Sequence, residues 1–112
     1  MQSMKGSTSV NVSRIGFHEL GFNCYDSPKS KGNPLLLDYR IRQAVHWAIY
    51  KEKIGRQSMD GKAVVGTSVI SPAAGDWHWN PPADQLVSYN PEKAKQILEA
   101  AGYIDRNGDG IR

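Results

Sequence analysis

Three groupings of residues have types and spacings that could do chemistry. The first is Asp105-Arg106-Asn107-Gly108-Asp109-Gly110-Ile111. Side-chain oxygens at alternate positions of a glycine-tightened turn suit a hard cation, and Asp105, Asn107 and Asp109 stand where the first half of an EF-hand loop places its ligands for Ca²⁺. The carboxylate that closes such a loop is not in the chain, and no helix-loop-helix pair is completed. The competing reading is a Gly/Asp/Asn turn leading into a strand. The second grouping is Trp77-His78-Trp79, inside a Pro/Gly-rich loop that also holds Asp76 and Asn80. Tryptophan on a loop offers apolar area and an indole donor, a means of gripping a ligand; the alternative is that these rings close over the domain's own core. The third is the set of nucleophiles and bases: Cys24, several serines, His18, His46 and His78. No Gly-x-Ser-x-Gly elbow and no phosphate-cradling glycine loop accompanies them. His46 lies beside Trp47, next to the apolar stripe of a helix, where an imidazole reads as a packed or surface residue. Catalysis is therefore not expected.

The elements that position these groups must come from a short chain. Its 112 residues allow one compact domain with little stability to spare. Net charge is +3, divided unevenly: residues 1–56 hold 9 Lys/Arg against 4 Asp/Glu, and residues 57–112 hold 5 against 7. The cations of the first half are scattered rather than clustered, which argues against a nucleic-acid footprint. Cys24 is the only cysteine, so an intrachain disulfide and multi-thiolate zinc are excluded. The polar, Ser/Gly-rich start carries no apolar signal core. It reads as a disordered or cloning-derived N-terminus over residues 1–8.

Ser9 to Cys24 predicts two short strands, from the alternation of Val10 and Val12 and then of Leu20 and Phe22 with polar or small residues. Residues 25–34 are turn formers. Asp38 caps a helix running to about Tyr50, with Ile41, Ala44, Val45, Ala48 and Ile49 on one face. A second short helix, about 51–59, is weakened by Gly55. Residues 62–70 supply short extended pieces, and 71–84 form the Trp loop. Asn90 caps the last helix, Pro91 opens it, Ala94, Ile97, Leu98 and Ala101 make its stripe, and Gly102 ends it.

Four of these pieces, in this order, resemble a known family. Gly32-Asn33-Pro34-Leu35-Leu36-Leu37-Asp38-Tyr39-Arg40-Ile41-Arg42-Gln43-Ala44 resembles the "N-P-x-x-D-x-R-V-R-Q-A" signature of the family 5 extracellular solute-binding proteins. Ala48-Ile49-Tyr50-Lys51-Glu52-Lys53-Ile54 is similar to that family's "A-I-D-K-E-K-I". Tyr89 to Tyr103 resembles "Y-D-P-E-K-A-K-x-L-L-x-E-A-G-Y", and Asp105 to Arg112 resembles "D-x-D-G-D-G-I-R". Gly21-Phe22-Asn23 sits where the family has a "G-F-N" strand. The likeness covers about residues 15–112. Tyr50 departs from it, standing where the family has a helix-capping Asp.

The resemblance implies an internal fragment of the second lobe of a longer, exported two-lobe protein. The implied fold is α+β: part of a periplasmic-binding-protein-like (type II) lobe over residues 9–112, with a small sheet packed by two to three helices. The implied function is capture of peptides or similar small solutes for an ABC importer's permease, outside the cytoplasm (periplasmic or anchored at the cell surface), without catalysis or cofactor. Phe22, Asn23, Trp77 and Trp79 are the expected ligand-binding residues. Asp38, Arg40 and Arg42 are expected to be structural. Under the resemblance the Asp105–Asp109 turn becomes a family turn rather than a calcium site. The alternative from another class is a stand-alone interaction domain that forms homodimers through an exposed strand edge.

Overall fold

The computed structural model describes residues 6, 8, 10, 12 and 16–112. Among the described residues there are three α-helices: α1 over Tyr39–Ala48, α2 over Lys51–Ser58 and α3 over Pro91–Ala100. Short 3-10 turns occupy Pro34–Leu37, Pro72–Trp77 and Ala83–Gln85.

The expected small sheet is not there. Among the described residues no strand forms, so the α+β expectation is overturned. The first predicted strand falls largely on residues 9, 11 and 13–15, outside the described set. Residues 16–24 carry the alternation but have no ladder partner. Alternation marks which face a strand would bury; a strand also needs a second backbone alongside to take its N–H and C=O groups. Local bonds serve instead. The Tyr25 amide donates to Asn23 Oδ1 at 3.1 Å, and Ile70 N donates to Ser68 Oγ at 3.2 Å. Among the described residues there is therefore no strand edge, and the homodimer expectation is unsupported.

The centre of the fold is the packing of α1 on α3. The two buried hydrophobic side chains among the described residues sit one on each of these helices, Ala44 (2% exposed) and Ala94 (5%). Both are methyls, which lets the helix backbones approach closely. Two ties fix the pair as antiparallel. At one end the Asn90 amide, just before α3, donates to the Trp47 carbonyl at 2.8 Å. At the other the Tyr103 hydroxyl, just beyond α3, donates to Asp38 Oδ2 at 3.2 Å. The Tyr50 and Tyr89 rings reinforce the first end, stacked with centroids 4.6 Å apart and planes 6° from parallel.

Each long helix has the termini its sequence specifies. Asp38 Oδ1 accepts from Arg40 N at 2.9 Å, capping α1. Asn90 Oδ1 accepts from Lys93 N at 2.9 Å, and Pro91 follows it in the first turn of α3. α3 closes in a Schellman arrangement: Gly102 N donates to the Glu99 carbonyl and Tyr103 N to that of Leu98. Gly102 takes φ +89°, a conformation that suits glycine. α2 is less well made. Tyr50 gives it no side-chain cap, as the departure from the family pattern predicts. Gly55 costs helix propensity but has a packing reason, since a Cβ there would stand 3.3 Å from that of Ala63.

Asp38 is the most heavily used side chain. Besides capping α1 and receiving the Tyr103 hydroxyl, it pairs with Arg40, whose Nη2 lies 2.7 Å from Oδ2. The Arg40 guanidinium, together with the Arg40 amide, holds its carboxyl far below the usual carboxylate range. Burial raises the Tyr103 phenol, helped by its bond to Asp38. Arg42 donates to the Leu36 and Leu37 carbonyls, holding the Pro34–Leu37 turn on α1. Asp38, Arg40 and Arg42 are thus engaged in structure.

Three outcomes follow from this packing. Ala94→Leu overfills the helix contact and is expected to destabilise the chain by about 1–3 kcal/mol, read by denaturant unfolding followed by circular dichroism. Asn90→Ala removes a cap worth about 1 kcal/mol and is expected to lower the melting temperature by several degrees. The third concerns acid. A carboxyl with a depressed folded-state pKa contributes stability above its unfolded value, about 3.9, and loses it as pH falls through the folded value. Melting curves from pH 6 to pH 2 should therefore show a decline that steepens near pH 4. Asp38→Asn should make it shallower without abolishing it, because Asp105 and Asp109 are depressed as well.

Candidate ligand-binding site

The Trp loop is built around an anchored histidine. Ser71 caps the 3-10 turn by accepting from Ala73 N at 3.3 Å, and Pro72 starts it. Gly75 kinks the turn at φ +61°, ψ −125°, which a side chain would oppose. His78 then reaches back to residues 67–70. Its Nδ1 lies 2.6 Å from the Ile70 carbonyl, and a carbonyl can only accept, so Nδ1 carries the proton. Its Nε2 lies 3.3 Å from Thr67 Oγ1, and that hydroxyl is 3.2 Å from the Trp79 carbonyl. His78 is a latch, half-buried: Nδ1 is committed to the Ile70 carbonyl, while Nε2 and the Trp79 carbonyl share the single Thr67 hydroxyl proton. The residues on either side of it remain in solvent, Trp77 at 81% exposure and Trp79 at 55%. The alternative that these rings close over the core is not what the fold does.

Phe22 and Asn23 lie elsewhere on the chain. Phe22 is half-buried and Asn23 exposed. Asn23 lines a small pocket of about 100 Å³ with Tyr25, Asp26, Ser30, Gly32 and Leu37. Gly32 is required for this close approach, because a Cβ on it would sit 2.9 Å from the Asn23 carbonyl oxygen. Asn23 Oδ1 is already taken by the Tyr25 amide. Phe22, Trp77 and Trp79 line neither this pocket nor the larger one described next. Neither of these two cavities gathers the four expected ligand-binding residues.

A feature that the sequence did not single out is an open groove of about 320 Å³ between the Pro34–Leu37 turn and the two long helices. Leu35, Leu36, Ile41, Leu98, Tyr103 and Arg112 line it. Its residues were legible separately, as an apolar run and two helix stripes. Their convergence depends on the antiparallel helix pair. Arg112 is placed at its rim by an ion pair with Glu99 at 2.9 Å.

The Asp105–Asp109 turn directs its oxygens at its own backbone. Asp105 accepts from Gly110 N and Gly108 N at 2.8 and 2.7 Å. Asp109 accepts from Ile111 N and from Asn107 Nδ2, both at 2.8 Å. These bonds, the Gly110 amide foremost for Asp105 and the Ile111 amide foremost for Asp109, hold both carboxyls below the ordinary range. Among the described residues no group of three or more His, Cys, Asp or Glu side chains is placed to hold a metal ion. Cys24 is exposed, its thiol 3.6 Å from the Leu36 carbonyl. No helix among the described residues is long and apolar enough to cross a membrane.

The sequence matches, over residues 1–112, the family model of the bacterial extracellular solute-binding proteins, family 5 (middle region). It is 43% identical over 82 residues to the oligopeptide-binding protein AppA of Bacillus subtilis (strain 168), covering 70% of this chain and 14% of that protein. It is 31% identical over 99 residues to the dipeptide-binding protein of Escherichia coli (strain K12), covering 88% of this chain and 17% of that protein. The chain thus spans about a sixth of the length of the curated relatives it matches. No solved structure matches it. With a family match over the whole chain and two relatives above 30% identity, the chain belongs to the bacterial extracellular solute-binding proteins of family 5, a family defined by binding solutes rather than by transforming them.

Proposed function

We propose that this chain is part of an extracytoplasmic protein that captures peptides or similar small solutes and presents them to the permease of an ABC importer. Residues 9–112 contribute one portion of a solute-binding lobe, and residues 1–8 lie outside it. Membership of family 5 supports this, as do two relatives whose names specify oligopeptide and dipeptide binding. The observation that carries the chain's own share is the Trp loop: two exposed indoles held out on either side of a histidine whose ring is bonded to residues 67–70. A rigid aromatic pair contributes apolar contact area with little conformational entropy to lose, and each indole N–H can donate to a carbonyl of the solute.

In this role the protein binds and does no bond chemistry. A peptide's backbone is recognised by main-chain and amide groups, while its side chains occupy permissive pockets. Trp77 and Trp79 form a wall of such a pocket. Asn23 belongs to a second contact region, the small pocket beside Gly32, where its amide supplies donors, and Phe22 is the residue next to it in the chain. The two regions meet across a cleft that the remaining parts of the lobes complete.

The test is peptide affinity in the solute-binding protein that carries this segment. Trp77→Ala with Trp79→Ala is expected to weaken binding of a mixed di- to pentapeptide pool about tenfold or more, the effect of truncating a desolvated aromatic contact. Calorimetry measures the affinity, and circular dichroism confirms that the variant is folded. Unchanged affinity in a folded variant removes the Trp loop from the site.

A further inference from the structure

The joint between α1 and α2 carries an unusual pair. His46 lies in the last turn of α1, and Lys51 is the first residue of α2. Lys51 Nζ is 2.7 Å from His46 Nε2. An ammonium has only donors, so at this distance Nε2 must be the acceptor and the ring must be neutral. Protonation removes the acceptor and sets two cations against each other in its place.

We propose that His46 and Lys51 form a proton-sensitive clasp that holds the start of α2 to the end of α1 at neutral pH and releases it when His46 takes up a proton.

Two features make this contact matter. First, α2 has little else to hold it. Its N-cap Tyr50 supplies no side-chain hydrogen bond, and the helix packs on neither of the other two. Its other contacts include the Lys51 amide on the Ile49 carbonyl at 3.1 Å, the Tyr50–Tyr89 stack, Arg56 against the Tyr50 ring and hydroxyl, and the approach of Gly55 to Ala63. Second, the charges are set against the ordinary preference of helix ends. A cation at a helix N-terminus is unfavourable, as is Lys51 on α2, and a neutral imidazole near a helix C-terminus forgoes a favourable charge. The neutral-ring bond from Lys51 offsets both.

The surroundings leave Lys51 as the charge that decides. Burial, and after it the Lys51 ammonium, lower the His46 pKa from its ordinary value of 6.5. One turn earlier on α1, Arg42 is directed at the Leu36 and Leu37 carbonyls. On α3, which packs against α1, Glu92 pairs with Lys95 and Glu99 with Arg112. No carboxylate acts on the ring to stabilise its protonated form. The sign follows from linkage. The folded state binds the His46 proton more weakly than the unfolded chain does, so the clasp is intact above about pH 6.5 and is lost as pH falls through the folded-state value.

Proton NMR of the histidine ring and amide hydrogen exchange, both followed from pH 8 to pH 4.5, test this on the chain. His46 is expected to titrate below 6.5. Protection of the α2 amides, corrected for intrinsic exchange, should fall severalfold as it does so, while that of α1 and α3 stays constant. In Lys51→Met the His46 pKa should rise toward 6.5. In His46→Gln, whose side-chain oxygen still accepts from Lys51 but does not titrate, α2 protection should no longer depend on pH in this range. Lys51 lies at the start of a weakly attached helix and Gln is a good helix former, so both variants keep the α1–α3 pair. An unchanged His46 pKa in Lys51→Met overturns the proposal. So does α2 protection that ignores the His46 titration, or that varies with pH equally in His46→Gln.

Discussion

The described fold depends on one contact, the approach of α1 to α3 through Ala44 and Ala94. Two methyl groups bury little area by themselves. Their value is geometric: they let two helix backbones come close enough for flanking groups to lock. The Asn90 amide on the Trp47 carbonyl and the Tyr103 hydroxyl on Asp38 are such locks, one at each end. Asp38 serves cap, ion pair and tie together, and the Arg40 guanidinium keeps it charged for all three. These side chains are also the recognisable part of the family signature, so the signature reads physically as a set of instructions for pairing two helices.

Around that pair the chain leaves much apolar surface in solvent. Leu35, Ile54, Met59, Val64, Val69 and Ile104 are all exposed, and no large side chain is fully buried among the described residues. Scattered exposed apolar residues are normal, but a domain normally buries several large ones beneath them. The groove between Leu35, Leu36, Ile41 and Leu98 belongs to the same picture. Helix pairing here supplies orientation more than burial. A chain with about a sixth of its relatives' length presents one organised unit with apolar faces around it.

The Trp loop obeys a different logic. His78 commits Nδ1 to the Ile70 carbonyl and sets Nε2 against the Thr67 hydroxyl, so the imidazole that a search for bases would single out is held in the structure. Its neighbours are held in water as a result. Binding surfaces are commonly made this way, with a polar residue fixing the backbone and aromatic residues set out on it. The Asp105–Asp109 turn shows the reverse case. Oxygens with the spacing of a cation loop are turned onto backbone amides, and the motif closes on itself.

Local instructions were legible in the sequence. The caps Asp38 and Asn90, the Pro91 start, the Gly102 stop and the three helices lie within a residue or two of where periodicity and capping place them, because each depends on contacts a few residues apart. The missing cap of α2 was equally plain from Tyr50. The strands were misread for the opposite reason: alternation records a preference for one face, whereas a strand exists only when a distant backbone lies beside it, and none does among the described residues. The exposure of Trp77 and Trp79, the pocket that Asn23 lines, the groove that Arg112 lines and the contact of Lys51 with His46 were likewise decided only in three dimensions. Each turns on where two elements meet, and residue spacing along a chain carries no record of the angle at which helices and loops come together.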